Sequence, residues 1–448
     1  MSGRTAISWV TTIVMLTAVV TGGLLLAGSA GATPVGCNIM VAGENVGNNA
    51  LQSAINTAHA GQTICVGPGT YPEQITISTP NLHITGASGG RTIIDPASGT
   101  VNAVDYDSGS NFPLIAVVLV ANASGVVLKD LTVNAAGAAA SIAGCSPGIV
   151  GVDFQNVSSG KLAASTIENA ELSPSLLGCQ SQTGVYVYTG FFETGYTPVG
   201  ASVTVSTTTV GAYGKGGIVC DDPGLTCVLN HDAIVGIGDT PAIAQNGIQI
   251  AYGAIGSMKS DTVSGNAYDG ATATNDFYGN GYASGGILLY RAGAGTTIQS
   301  CTLTNNQIGI LGDDDVSDTI VGNHVTNSIA YGIAEYGSTS TVVHILNNRI
   351  GNPTTQSIGI LVANGTFYVL SNTISWTTTG GTQGASQAVT GAGTVYPTAP
   401  AESIATAAVQ AISDGAPTTV FMIGNVDNHD NSRSATLAVF GGTVTVTV

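Results

Sequence analysis

Gly286-Ile287-Leu288-Leu289-Tyr290-Arg291 opens a stretch that runs to Ile374 and reads GILLYRAG…TLTNNQIGILGDDD…IVGNHVTNSIAYGIAEYG…ILNNRIGNPTTQSIGILVANG…LSNTIS. A Gly-Ile pair recurs at Gly286, Gly309, Gly332 and Gly359, with gaps of 23, 23 and 27 residues. Between the pairs comes a second apolar run, such as Thr319-Ile320-Val321, followed by Gly-Asn or Asn-Asn. Self-similarity at this period marks a solenoid, in which each repeat buries its apolar face only against its neighbours. Short Val/Ile/Thr/Leu runs punctuated by Gly, Asn and Asp are strand-turn-strand chemistry. The reading is all-β, a parallel β-helix with apolar side chains stacked inside and Asn stacking at the turns, where left-handed backbone angles are tolerated.

The same Gly-apolar mark stands earlier at Gly148, Gly184, Gly217 and Gly247, with longer gaps that predict looped insertions on one face. Composition agrees with a solenoid: Gly is 62 of 448 residues, charged residues are 8% and hydrophobic residues 44%. Past residue 32 no apolar run approaches the ~20 residues of a membrane span.

In chain order, 1–32 reads as a secretory signal. Arg4 precedes an apolar Ile7–Ala27, and Ala30-Gly31-Ala32 is a small-residue cleavage site, an uncleaved anchor being the alternative. Residues 33–62 read as an N-terminal cap region. Its helix spans Asn48 to Gly61, with Leu51, Ile55 and Ala58 on one face, and would cover the open edge of the first coil. Residues 63–375 are the coils, 376–407 a Thr/Gly/Ala/Pro-rich loop, and 408–448 a last coil with closing strands.

Without the leader, eight basic residues face 26 acidic ones. That excludes nucleic acid as an electrostatic partner and leaves an anionic polysaccharide only through a cation. Seven cysteines in an exported chain point to disulfides. Sequence proximity suggests Cys37–Cys65, Cys145–Cys179 and Cys220–Cys227, with Cys301 left over and buried.

The segment Thr63 to Asp95, with TICVGPGTYPEQITI, LHITG and TIID, resembles the opening of right-handed parallel β-helix proteins of the pectin-lyase-like superfamily. That resemblance implies polysaccharide handling, and with the leader the expectation is a secreted or cell-surface protein, acting as a monomer. Glu73 in Gly69-Thr70-Tyr71-Pro72-Glu73 matches the opening of the pectin methylesterases, whose later Gln-Asp-Thr and Leu-Gly-Arg-Pro-Trp signatures are absent. Of the polygalacturonase set only an Asp-Asp, at Asp313-Asp314, is present.

In a Gly-Ile strand the first and third residues after Gly point inward and the second and fourth outward. The fourth residues are Tyr188, Asp221, Ala251, Tyr290, Asp313, Tyr336 and Ala363. The fifth are Thr189, Asp222, Tyr252, Arg291, Asp314, Gly337 and Asn364. Coils ~4.8 Å apart make these a ladder of carboxylates, tyrosines and one arginine. Such a ladder suits glycan, with Tyr188, Asp221, Asp222, Tyr252, Tyr290 and Tyr336 as binding candidates. Turn and surface roles compete, since Asp is an ordinary turn residue and Tyr an ordinary outer-strand residue. Asp221 and Asp313, three coils or ~14 Å apart, exceed the ~5–9.5 Å of a glycosidase pair. The catalytic candidates are therefore Asp313, Asp314, Arg291 and Glu335. The pleat points Glu335 inward, so either its strand ends early or the register shifts by one. Asp313, Asp314, Asp315 and Asp318 are the candidate Ca²⁺ ligands. His83, His231, His324 and His344 show no ligand spacing and read as turn or ladder residues. Two functions follow: a carbohydrate-binding β-helix acting as lyase or glycosidase, or a non-catalytic rod used for adhesion.

Overall fold

The computed structural model describes residues 36–43, 49–105, 111–190, 200–268, 283–314, 317–338, 340–351, 358–375, 409–413, 416–423, 426–427, 437–441 and 444–447. The proposed signal at 1–32 and the loop at 376–407 lie outside them. Three long sheets run along the chain, and every pairing within their paths is parallel. The protein is a right-handed parallel β-helix. One coil is Thr296–Gln299 in the first sheet, Thr302–Thr304 in the second and Ile308–Asp313 in the third. The first sheet already begins at Ile39–Val41, which pairs with Thr63–Val66 inside the span predicted as cap.

The Gly-Ile repeat has a steric cause. A Cβ built on Gly184, Gly217, Gly247, Gly286, Gly309 or Gly332 would lie at most 2.7 Å from the carbonyl oxygen of the next glycine in the column. At most of these positions a β-branched side chain of the second sheet, such as Ile234 against Gly217 or Val325 against Gly309, already fills the corner. No side chain fits there, so glycine recurs. The column extends back to Gly151, which meets the Gly184 carbonyl, so Gly151 rather than Gly148 holds that place. One residue on, Ile218, Ile248, Ile287, Ile310, Ile333 and Ile360 are mutual register partners and fully buried.

The turn from first to second sheet carries a second column. Asn323 N–H donates to Asn348 Oδ1 at 2.9 Å, and Asn348 N–H to Asn372 Oδ1 at 2.9 Å. The left-handed residues are the ones just before, Gly322, Asn347 and Ser371, so the stacking asparagine is not itself the left-handed one. Earlier coils place Asp232, Asp261 and Cys301 in this column: Asp232 N–H donates to Asp261 Oδ1 at 2.8 Å, and Cys301 N–H to Asn323 Oδ1 at 2.8 Å. Burial pushes Asp232 up to about 6 and Asp261 up to about 7, the second against the hydrogen bond from Asp232 N–H and with the Asp232 charge.

The helix is Ala50–Thr57, with Leu51, Ala54 and Ile55 buried, and it packs on the strands Ile39–Val41, Thr63–Val66 and Ile75–Ile77. Asn49 makes no side-chain cap. Glu73 does that work from a distance: its carboxylate accepts from Leu51 N–H at 2.9 Å and Gln52 N–H at 2.8 Å, a negative charge at the positive helix end. The disulfides are Cys37–Cys65, Cys145–Cys179 and Cys220–Cys227, and Cys301 is free and buried. Among the described residues no helix is long and apolar enough to cross a membrane.

Two measurements check this account. Gly217→Ala lowers the thermal midpoint by the equivalent of ~1–3 kcal/mol of overpacking, whereas Gly211→Ala, whose new methyl meets nothing closer than a carbonyl at 3.7 Å, changes it far less. The raised Asp261 means that the folded state holds a proton the unfolded state releases near 3.8. The contribution of this group to stability is thus fully present below that value and is lost as pH rises through about 7. Asp261→Asn should flatten the decline between pH 5 and 8 in thermal melts.

Candidate functional site

The predicted ladder exists in register. Tyr188, Asp221, Ala251, Tyr290, Asp313, Tyr336 and Ala363 are successive partners along the third sheet. Its fifth-place residues Asp222, Tyr252, Arg291, Asp314 and Asn364 all have positive φ, because the chain turns there. Several ladder residues serve the fold. Tyr188 is buried and its hydroxyl donates to the Val104 carbonyl at 2.7 Å. Asp222 accepts from Thr189 N–H at 3.0 Å and from its hydroxyl at 3.1 Å. Tyr336 is buried beside Asp313.

Tyr252, Tyr290, Arg291, Asp313 and Asp314 do come together. The Tyr252 and Tyr290 rings meet edge to face at 5.3 Å, and the Arg291 guanidinium carbon lies 5.1 Å from the centre of the Tyr290 ring. Arg291 Nε is 3.7 Å from Asp314 Oδ2, both side chains being more than half exposed. Burial and then Asp314 push the Asp313 carboxyl up to about 6, against the pull of Arg291.

Glu335 does not join them. Its strand continues through Tyr336 in unshifted register with Gly312, so neither sequence alternative holds. The pleat sends the side chain into the lumen, where it is fully buried, and burial and then Asp318 push its carboxyl well above the ordinary range. Asp313 faces out of the same sheet, so the pair Asp313 or Asp314 with Glu335 is not a catalytic pair. Asp318 also faces inward, between its buried partners Thr296 and Val343. It therefore does not share a face with Asp313, and Asp315 lies outside the described residues. Among the described residues no group of three His, Cys, Asp or Glu side chains could hold a metal ion.

The larger feature lies next to the ladder. A cavity of about 550 Å³ opens on the outer face of the third sheet. Its floor is Val150, Thr183, Tyr186, Val219 and Gln249, and Asp221 and Tyr252 stand at the turn side. One wall is a strap, Ala103–Asp105, which pairs antiparallel with Phe112–Ala121. Another is the segment Gly178–Ser181 with Cys145. That wall is held by the Cys145–Cys179 disulfide and by buried Gln182, which accepts from Leu172 N–H at 2.7 Å and donates to the Leu177 carbonyl at 2.9 Å.

Charge in the cavity is arranged, not scattered. Lys215 lines it, donates from Nζ to the Ala244 carbonyl at 2.7 Å, and is lowered to about 8 by burial. The Tyr186 hydroxyl donates to Asp105 Oδ1 at 3.3 Å. Asp153, between Leu119 and Tyr186 in register, is fully buried, and neither carboxyl oxygen has a hydrogen-bond partner. Burial, reinforced by Asp105, pushes its carboxyl well above the ordinary carboxylate range.

Sequence reasoning missed Asp105, Asp153, Tyr186, Lys215 and Gln249. Tyr186 and Gln249 are the second residues after their glycines, an outward column as legible as the fourth. Lys215 carried a signal in its rarity, as one of nine basic residues. Asp105 carried none, because an insertion brings it over the sheet.

No family model and no curated protein matches the chain. Solved structures similar to it include the Azotobacter vinelandii mannuronan C-5 epimerase AlgE6 A-module, at 16% identity, covering 90% of this chain and 95% of that one with a TM-score of 0.49. The periplasmic alginate epimerase AlgG is 12% identical over 92% of this chain and 84% of that one, with a TM-score of 0.44. The Dettilon tailspike protein is 13% identical over 89% and 66%, with a TM-score of 0.41. The fold assignment rests on the three parallel sheets themselves.

The electrostatics of the exposed strip can be read by following the Asp313 carboxyl carbon by NMR through a pH titration. Arg291→Gln should move its midpoint above about 6 and Asp314→Asn should move it below, since the first removes an opposing charge and the second a like one.

Proposed function

We propose that this is an exported, disulfide-bonded protein that binds polysaccharide on the outer face of its third sheet. The observation that carries the reading is the cavity. Its apolar floor is ringed by an ammonium, carboxylates, an amide and tyrosines, on rigid strands and tied loops. Hydroxyl-rich ligands need this combination: ring faces against which C–H groups pack, with fixed donors and acceptors for hydroxyls. Tyr252 belongs to the cavity and touches Tyr290, so binding extends to the strip bearing Arg291, Asp313 and Asp314. In this reading Asp313, poised at about 6, is the proton-transferring group and Arg291 the partner of an acidic sugar.

A non-catalytic binding protein is the second reading. It is favoured by Glu335, whose lumenal position leaves Asp313 and Asp314 without the second carboxylate that hydrolysis would use. The protein acts as a monomer in both readings, and neither involves nucleic acid.

The test is binding of the wild-type chain to a panel of neutral and acidic polysaccharides, with and without Ca²⁺, while reducing ends and unsaturated products are followed. Tyr252→Ala and Asp221→Asn should each weaken binding about tenfold, the equivalent of ~1.4 kcal/mol, with an unchanged thermal midpoint. Product release separates the catalytic reading from the non-catalytic one. Wild-type affinity in both variants would overturn the site.

A further inference from the structure

A solenoid groove ordinarily runs on from coil to coil, so where the outer face of the third sheet is open decides what length of ligand it takes. On the N-terminal side the face is closed. The strap Ala103–Asp105 lies over it, fastened by the Tyr188 hydroxyl to the Val104 carbonyl at 2.7 Å and by the Tyr186 hydroxyl to Asp105. The Asn102 side chain adds two more bonds to the Ala116 backbone, at 2.9 and 3.1 Å. Beneath and beside this strap the outward residues Leu114, Ala116, Leu119 and Val150 form a second apolar core outside the solenoid.

On the C-terminal side the face closes again. Gln249 and Leu288, partners in the central outward column, are half-buried, but the next members, Leu311, Ala334 and Leu361, are buried at 1%, 0% and 0%. Ile308 beside them is buried at 1%. The third side is the disulfide-tied wall at Cys145 and Cys179. The fourth is the turn side, where Tyr252 and Tyr290 are half-buried, as Gln249 and Leu288 are, and Arg291 is 56% exposed. The cavity is thus walled by the strap and by the disulfide-tied segment, the outward column beyond Leu288 offers no exposed side chain, and Arg291 at the turn side is open to solvent.

We infer that the site takes the end of a glycan chain, entering past Tyr252, Tyr290 and Arg291, and does not clamp the interior of a chain that runs along the solenoid. This rests on the glycan reading above. A chain laid along the axis would have to displace the strap on one side, and on the other it would find no exposed outward side chain at Leu311, Ala334 or Leu361. A chain entering from the turn side meets the ring pair first and Lys215 and Asp221 within. The strap is then a specificity element: what Tyr188 fastens is the wall that makes the site blind.

The experiment uses the full chain and a polysaccharide that it binds. Linear oligosaccharides of increasing length are compared with the same chains capped at the reducing end, capped at the non-reducing end, or cyclised. End recognition predicts affinity that stops rising after a few sugar units, one protein bound per chain, and at least a tenfold loss on capping one particular end or on cyclisation. Tyr188→Phe, which removes the hydroxyl that bonds the strap, should restore part of the affinity for the capped chain. Cyclised and doubly capped chains bound as tightly as open ones, with stoichiometry growing with chain length, would overturn the inference while leaving glycan binding intact. Absence of binding to every glycan, open or capped, would overturn both. The wild-type comparison stands even if Tyr188→Phe unfolds.

Discussion

Everything in this molecule hangs on how closely successive coils approach at the corner between the second and third sheets. There the backbone of one glycine lies against the carbonyl of the next, from Gly151 to Gly359, and at most positions a Val or Ile from the second sheet fills the space a side chain would take. An added methyl would have to push against backbone on one side and a packed β-branched residue on the other. Neither yields, because both belong to coils held by continuous parallel ladders. The corner thereby locks the register of the third sheet. That register places Asp221, Tyr290 and Asp313 in one column and Tyr186 and Gln249 in another.

The chain has few charges and buries a good number of them. Asp153, Asp232, Asp261 and Glu335 lie in places where an ionised carboxylate is poorly solvated, and each is pushed toward its neutral form. In the turn column this is a variation on the asparagine stack: a protonated Asp resembles Asn in shape and in its ability to accept a neighbouring N–H. One consequence is a protein whose packing is best satisfied on the acid side of neutrality. Another is that a carboxylate in this sequence is a poor guide to a site, since burial and not solvent decides its state.

The site is made where the repeat is interrupted. The coils by themselves would present a uniform outer face. The strap at Ala103–Asp105 and the disulfide-tied wall at Cys145–Cys179 turn part of that face into a walled cavity. The coils supply rigid, evenly spaced side chains, and the insertions supply concavity. This division explains why residues from the two sources, such as Tyr186 on a strand and Asp105 on the strap, meet directly.

The repeat, its strand directions, the isoleucine column, the ladder register and the three disulfides were legible in the amino-acid sequence. Each depends on local spacing: glycine where backbones touch, alternation along a pleat, cysteines close along the chain. Even the inward direction of Glu335 followed from the pleat; the two escapes from it did not occur, because backbone pairing holds the register more firmly than one buried carboxyl can disturb it. Which outward residues meet solvent was decided only by tertiary structure. Tyr188 and Asp313 occupy equivalent places, yet one fastens a strap and the other stays partly open. Covering segments arrive from insertions with no repeat of their own, so no spacing in the coil encodes where they land. The cavity, its blind end and the assembly of Asp105, Asp153 and Lys215 beside it depend on those long-range contacts alone.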